Sequence, residues 1–573
     1  VTITSHRIGI GIGLHHPLQQ AHSVVRRRPT LSLKRAFEAC RASSHDFKSA
    51  GAAENRGALS LSPRLGVSLR CGGATRPHEP SRSKRGARSG RTRRRTPADE
   101  PLPRLAAVVI TVVLADKNRS QYENMKKLAS WVAALRYEDV PSDVKEIAKM
   151  CLLDWACVSV YGARSPQSKV LVDIFREEAG RPEAMILVHG YMVPCGNAAM
   201  ANAVMAASYE LCDSLSPLTF LSPGATVISA AVAVAERERC DGEELLTAII
   251  AGYEVCGRVS TVSKTVALPL GVVAAAGKLL DLNEDELRRA FALASRVAAT
   301  GNATHDSSVG GSKALTAGMV ARDGIFCAIA AKKGFDSALE TYDTPELDED
   351  AAAKQLGETW AMRDVGFRYF GCEHFLHGYL DAALRLMRDY GVKAEDIEDL
   401  KVKIPRNFPL LREACSDAKK MPRNREDARG SLSFCLATVF HDGHLLDPAR
   451  QLSEERLRDR KILRLASKLR VEVDEKLDAI MERGGVLLSP LDVKVAGRAF
   501  AMAAPCKGFK GNILSYEELE QKFLALTHDV ITAEDLEDLV HAINVIENID
   551  DVSDVIELLI AEEEEQIEDE EAN

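Results

Sequence analysis

Two stretches of small side chains set the tightest limit on how this chain can fold. NAAMANAVMAAS (Asn197 to Ser208) and GATVISAAVAVAE (Gly224 to Glu236) are so rich in Ala, Val and Ser that helices built from them can be buried on nearly every face. Small side chains also let helix axes approach closely. The alternation of strand, turn and helix that marks a doubly wound sheet is absent, so a compact helical domain without a parallel sheet is expected.

Helix starts are well marked around these runs. After Pro141, Val144, Ile147, Cys151, Trp155 and Val158 recur at three- and four-residue spacing. Asp241 with Glu244, Asn283 with Glu286, Ser515 with Glu518 and Thr532 with Asp535 each set a capping acceptor three residues before an acid. Beyond about residue 392 the period changes. Leu400, Val402 and Ile404 alternate with charges, as do Leu469, Val471 and Val473, then Leu491, Val493 and Val495, the pattern of half-buried strands. With helices expected over 430–440 and 453–468, these strands predict a smaller α+β domain. The expected fold is mainly α: a large all-helical domain over 125–391, the α+β domain over 392–514, and C-terminal helices over 515–560 that return to the first. An acidic tail (561–573) follows.

Of the 573 residues, 27% are charged and the net charge is -9, the balance of a soluble globular chain. That figure hides two opposite segments. Residues 1–104 hold 21 Lys and Arg against 6 Asp and Glu; the remainder holds 53 against 77. An acidic body repels nucleic acid and anionic membranes, so neither is expected as a partner. The basic segment, with SRSKRGARSGRTRRR from Ser81 to Arg95, is Ser- and Gly-rich and lacks sustained apolar periodicity. The chain begins with Val, and Met125 opens a clean helical pattern. Residues 1–124 therefore read as a disordered tail or an over-extended start, with a transit peptide or a phosphate-binding arm as the other uses of such composition. The apolar run Leu105 to Ala115 is too short to cross a bilayer, which needs about 20 residues.

The 13 cysteines are scattered without a C-x-x-C pair, and several fall within apolar helical runs. They read as reduced core residues of a cytoplasmic protein. No metal is expected: His441-Asp442-Gly443-His444 lacks a third ligand, and Asp442-Gly443 reads as a helix-ending turn.

Four stretches in order resemble the MmgE/PrpD family, which includes 2-methylcitrate dehydratase, cis-aconitate decarboxylase and iminodisuccinate epimerase. They are SPGATVISAAVAVAE (Ser222 to Glu236), LLTAIIAGYEVCGR (Leu245 to Arg258), GGSKALTAGMVARDGIFCAIAAKKGF (Gly310 to Phe335) and FRYFGCEHFLHGYLDAAL (Phe367 to Leu384), with a weaker fifth, GSLSFCLATVFHDGH (Gly430 to His444). The resemblance covers about Met125 to Ile560. It implies a two-domain homodimer with its active site between the domains. The implied chemistry uses no cofactor and acts on a small di- or tricarboxylate. A proton leaves next to a carboxylate, followed by loss of water or CO2 or by reprotonation.

Removing such a proton builds negative charge on the carboxylate, so the site needs a base and fixed cations or donors. Lys313, after Gly310-Gly311-Ser312, matches a lysine of the family's site; its bland alternative is an exposed lysine at a helix start. Glu210, Asp213 and Ser214 lie where relatives show Asp-Phe-Asp-Asp-Thr, and could equally be a capping cluster. Ser222-Pro223-Gly224-Ala225 corresponds to a His-Pro-Gly-Ala element. Ser222 can hydrogen-bond a carboxylate but cannot shuttle a proton near neutrality as imidazole does. Leu268 stands where many relatives carry a second histidine, just before a helix expected to open near Gly271. Arg368 is the counterpart of a site lysine, suited to clamping a carboxylate rather than acting as base. His377 matches the family's histidine, and His374 is an extra imidazole expected on the same helix face. Tyr253 is expected to pack rather than react.

The resemblance and residues together imply a lyase or isomerase of the 2-methylcitrate dehydratase type. Lys313, Asp213, His377 and His374 are its catalytic candidates, and Arg368, Glu210, Ser214 and Ser222 its substrate-binding candidates. The other reading, favoured by the two missing imidazoles, is a divergent scaffold that binds or supports without turnover.

Overall fold

A computed structural model describes residues 125–215, 221–298, 311–336, 349–445 and 447–561. The expected disordered segment over 1–124, the Leu105 to Ala115 run and the acidic tail beyond Ala561 lie outside the described residues.

The protein is mainly α, with a large helical domain and a smaller α+β domain, as the patterns predict. The helical domain is built on α1 (Ser142–Ala163), α2 (Cys195–Ala207), α3 (Ser229–Glu238), α4 (Gly242–Ser260), α5 (Lys264–Leu279), α6 (Glu284–Ala298) and α7 (Gly311–Lys332). A two-stranded antiparallel ribbon, β1 (Ala184–Ile186) and β2 (Tyr191–Val193), lies between α1 and α2. The small-residue runs become α2 and α3, and almost every side chain in them is buried. Close approach is evident where α4 crosses α5. A Cβ on Gly252 would lie 2.9 Å from the Gly271 carbonyl oxygen, and one on Gly271 would lie 2.8 Å from that of Gly252.

The four capping pairs all form: each side-chain acceptor takes the backbone N–H three residues on, and each acid accepts from the cap's own N–H. One helix start differs from expectation. The helix expected to open near Gly271 begins at Lys264 and carries Pro269 within it, so Leu268 is a helical residue. Neighbouring packing over-determines this turn despite the hydrogen bond that proline cannot make.

The second core gathers Phe370, Leu380, Leu400, Val402, Leu436, Leu491 and Phe509. It begins at Phe370 rather than residue 392, because α8 (His377–Tyr390) buries Tyr379, Leu380, Ala383 and Leu386 there. Its sheet has the order β4-β3-β5-β6, formed by β3 (Ile397–Ile404), β4 (Leu469–Val473), β5 (Leu488–Val495) and β6 (Arg498–Pro505). β3 and β4 are parallel, while β3 with β5 and β5 with β6 are antiparallel. β4 is an edge strand on which only Leu469 is buried, so its alternation overstated its burial. The helix expected over 453–468 is broken, because Asp459 turns its side chain to accept from the Lys461 N–H and starts a new helix, Arg460–Ala466. The expected 430–440 helix is α9 (Leu432–Asp442), ended by Gly443 at φ 76°.

The chain then returns to the first core through α10 (Tyr516–Thr527), whose Leu519, Phe523 and Leu526 pack there with Leu539 and Ile543 beyond. The Lys522 Nζ of α10 lies 2.6 Å from Asp154 Oδ1 of α1 and donates to the Leu211 carbonyl at 3.0 Å, both side chains being fully enclosed.

Candidate active site

The site is built around the turn that follows α2. Glu210 adopts φ 54°, a left-handed conformation that non-glycine residues rarely take. The turn is fixed from two sides. Ser214 N–H donates to the Gly366 carbonyl, and Gly366 N–H to that of Ser214, both at 2.8 Å; Phe367 N–H donates to the Gly508 carbonyl at 2.9 Å. This backbone stitching delivers Arg368 to Glu210. The Arg368 guanidinium donates to the Glu210 carbonyl at 2.9 Å and lies 3.4 Å from its carboxylate Oε2.

Two further cations converge on the same carboxylate. Lys313 Nζ, in the first turn of α7, is 2.6 Å from Glu210 Oε1, and Arg429 of the second domain is also 2.6 Å from Oε1. Burial alone would hold the proton on Glu210, but Arg429, Lys313 and Arg368 together hold its carboxyl well below the usual range. The group is an ionised carboxylate surrounded by three cations.

This cluster closes one end of a cavity of about 240 Å³. Glu210, Ser222, Lys313 and Arg368 all line it, and Arg368 also donates to Ser222 Oγ at 3.2 Å. Ser222 leads into a π-helical turn, Gly224–Ile228, an irregularity frequent at functional sites. Leu268 lines the cavity as well, so the two positions where relatives show histidine face one space.

Asp213, Ser214, His374 and His377 are not among the described lining residues. Asp213 lies one layer back, accepting from Tyr253 Oη at 2.5 Å and from the Gly224 N–H at 3.0 Å. Burial pushes its carboxyl up to about 6 against the Tyr253 hydrogen bond. Tyr253 is fully enclosed and holds this acid, in agreement with a packing role. Ser214 serves through its backbone pairing with Gly366.

The histidines belong to the second core. His374 opens a 3-10 turn, His374–Leu376, and His377 begins α8 directly after it. The His377 ring nitrogens face the Lys507 and Cys372 carbonyls, each at 3.4 Å. Burial, followed by the Arg368 charge, pushes its imidazole down to about 3, so it is neutral at physiological pH. The His441 to His444 turn is spoken for, since Asp442 accepts from Arg456 and Gln451. Among the described residues no group of three or more His, Cys, Asp or Glu side chains is placed to hold a metal ion.

Two residues, Arg429 and Asp323, escaped the sequence reading, and the structure also places Glu373, beside the histidines. Arg429 ends a one-turn helix, Arg425–Arg429, and immediately precedes the Gly430 stretch that carried the weakest resemblance; that adjacency was its only signal. Glu373, next to His374, is half-buried beside the same cations, and loss of water and Glu210 raise its carboxyl despite them. Asp323, on the exposed-looking middle of α7, lines the cavity with its carboxyl raised by partial burial.

The MmgE/PrpD N-terminal domain matches residues 126–353, and the MmgE/PrpD C-terminal domain matches residues 370–547. Among curated proteins, the chain is 26% identical over 300 residues to the cis-aconitate decarboxylase-like protein oryM of Aspergillus oryzae, covering 46% of this chain and 61% of that protein. It is 24% identical over 298 residues to a cis-aconitate decarboxylase of Aspergillus terreus, covering 46% of this chain and 60% of that one. The matched stretch thus spans about three fifths of each relative. The two domain matches lie on either side of Arg368, near which the two cores also meet, and together they cover well over half of the chain, which belongs to the MmgE/PrpD family.

Proposed function

We propose that the protein is a cofactor-independent lyase or isomerase that removes a proton next to a carboxylate of a small di- or tricarboxylate. The observation that supports this most is the convergence of Lys313, Arg368 and Arg429 on Glu210 at one end of a cavity. Positive charge already in place, partly shielded from water, stabilises the dianionic character that develops on a substrate carboxylate as the adjacent C–H bond breaks. Arg368 and Ser222 hold the carboxylate. Lys313, the most exposed member of the cluster, lines the space where the reacting carbon would sit and sets its charge against the carboxylate as the proton leaves. Asp213, His374 and His377 then position the turn and the domain junction instead of touching substrate. Dehydration of the 2-methylcitrate type and epimerisation begin with this step, whereas decarboxylation uses the same cations to steady the carbanion left by CO2 until a proton is delivered to it.

The same geometry supports a second reading. Ser222 and Leu268 leave the cavity wall without imidazole among the described residues, which favours a scaffold that binds carboxylates without turnover. One experiment separates the two. The protein is incubated in D2O with methylcitrate, citrate, cis-aconitate and iminodisuccinate, and C–H exchange and products are followed by NMR. Exchange or product that disappears in Lys313→Ala, with thermal stability nearly unchanged, is the expected result; silence from folded protein across the panel sinks the lyase in favour of the scaffold. Assembly as a homodimer and a reducing, cytoplasmic setting belong to the same proposal. The described cysteines support the setting, being unpaired and buried.

A further inference from the structure

The cavity is charged at one end and apolar along most of its remaining length. Beyond the Glu210 cluster its wall is formed largely by Leu221, Ala225, Leu268, Pro269, Met319 and Val320, with Lys264, Asp323 and three threonines as the polar exceptions. Where the family resemblance places imidazoles, this wall has an aliphatic side chain and a hydroxyl. A carboxylate set against the aliphatic part of this wall, away from Lys264, would be an unpaired charge on hydrocarbon, which is strongly disfavoured. Two of the cations on Glu210, Lys313 and Arg368, also line the cavity, whereas Arg429 is held by Glu210 and Glu426 behind it. Met319 and Val297 both line the cavity.

We propose that the cavity takes an alkyl-substituted dicarboxylate, whose acid end lies on Lys313 and Arg368 and whose hydrocarbon chain runs along Leu221, Leu268, Pro269, Met319 and Val320. The proposal rests on the carboxylate-lyase reading for its reacting end, and adds the tail as the element that sets specificity. Each methylene buried along the wall tightens binding by roughly fourfold.

Calorimetric titration of the full chain with succinate, methylsuccinate, butylsuccinate, hexylsuccinate and octylsuccinate tests this, with tricarballylate as the tricarboxylate without a tail. The expected result is a Kd that falls about fourfold per methylene until the cavity is full, with tricarballylate binding no tighter than succinate. Met319→Gln and Val297→Thr, near-isosteric changes at part-exposed positions, flatten the dependence on chain length while the succinate Kd holds. A Kd independent of chain length, tightest binding by tricarballylate, or no binding by any of these ligands overturns the proposal. C–H exchange measured in D2O with methylcitrate, citrate, cis-aconitate and iminodisuccinate on the same protein keeps the two questions apart. Tail-dependent binding without exchange supports the alkyl site and removes the lyase reading, whereas exchange without tail dependence does the reverse.

Discussion

Glu210 shows how one side chain can organise a site without being its reactive group. It is buried, held in a left-handed backbone conformation, and ionised because three cations outweigh the loss of water. Glu210→Gln leaves those cations facing a neutral amide, so unfolding in urea is expected to show a loss of about 3 kcal/mol along with lost exchange activity. A stability unchanged within error would show that the cluster is not coupled as its distances imply. Asp213 gives a pH-dependent prediction. Its folded value of about 6 lies above the ordinary 3.8, so the native state holds the proton more tightly than the unfolded chain. Stability from this group is therefore greatest below about pH 4 and declines as pH rises through about 6. The decline is on the order of 3 kcal/mol, and Asp213→Asn is expected to abolish it in urea titrations at pH 4.5 and 7.5. Lys313, Arg368, Glu210 and Ser222 were legible because each sits inside a motif. Arg429 was not, because an arginine at the end of a short helix looks like any solvated cation until the fold sets it against a residue from the other domain.

Two helix contacts carry much of the architecture. At the crossing of α4 and α5, backbone carbonyls stand where a Cβ would go on Gly252 or Gly271. Gly271→Val is expected to cost about 1–3 kcal/mol through forced separation of the helices, read as a lowered thermal midpoint. The second contact is the buried pair Lys522 and Asp154, which ties α10 to α1 and holds the Leu211 carbonyl beside the Glu210 turn. Lys522→Met strands the Asp154 charge and is expected to cost about 3–5 kcal/mol, whereas the double variant with Asp154→Leu regains most of it. A double variant no more stable than the single one would show that packing, not charge, dominates there. Helix starts were readable because a cap is a local arrangement of four residues. β6 was not, since RAFAMAAP is poor in β-branched residues and becomes a strand only by pairing along the whole of β5.

On the scale of the molecule, the site exists only where the two cores meet. Glu210 and Lys313 come from the first, Arg429 from the second, and Arg368 from the segment between Phe367 and Phe370 that joins them. The proposed homodimer has a physical rationale at α7, where Leu315 and Phe326 lie on one face three turns apart and are 41% and 68% exposed. Light scattering is expected to give a dimer mass for the wild type and a monomer for Phe326→Glu. A wild-type monomer at micromolar concentration would remove that part of the proposal.

The sequence by itself determined the fold class, most helix starts, three of the four main strands, and several residues of the cavity wall. These depend on local periodicity, capping geometry and short-range motif order, all written in neighbouring residues. Only the tertiary structure decided that α8 belongs to the second core, that Asp213 and both histidines stand behind the cavity wall, and that Arg429 completes the charge cluster. Those outcomes depend on which distant segments pack together, and on burial and charge felt across space, which spacing along the chain does not encode.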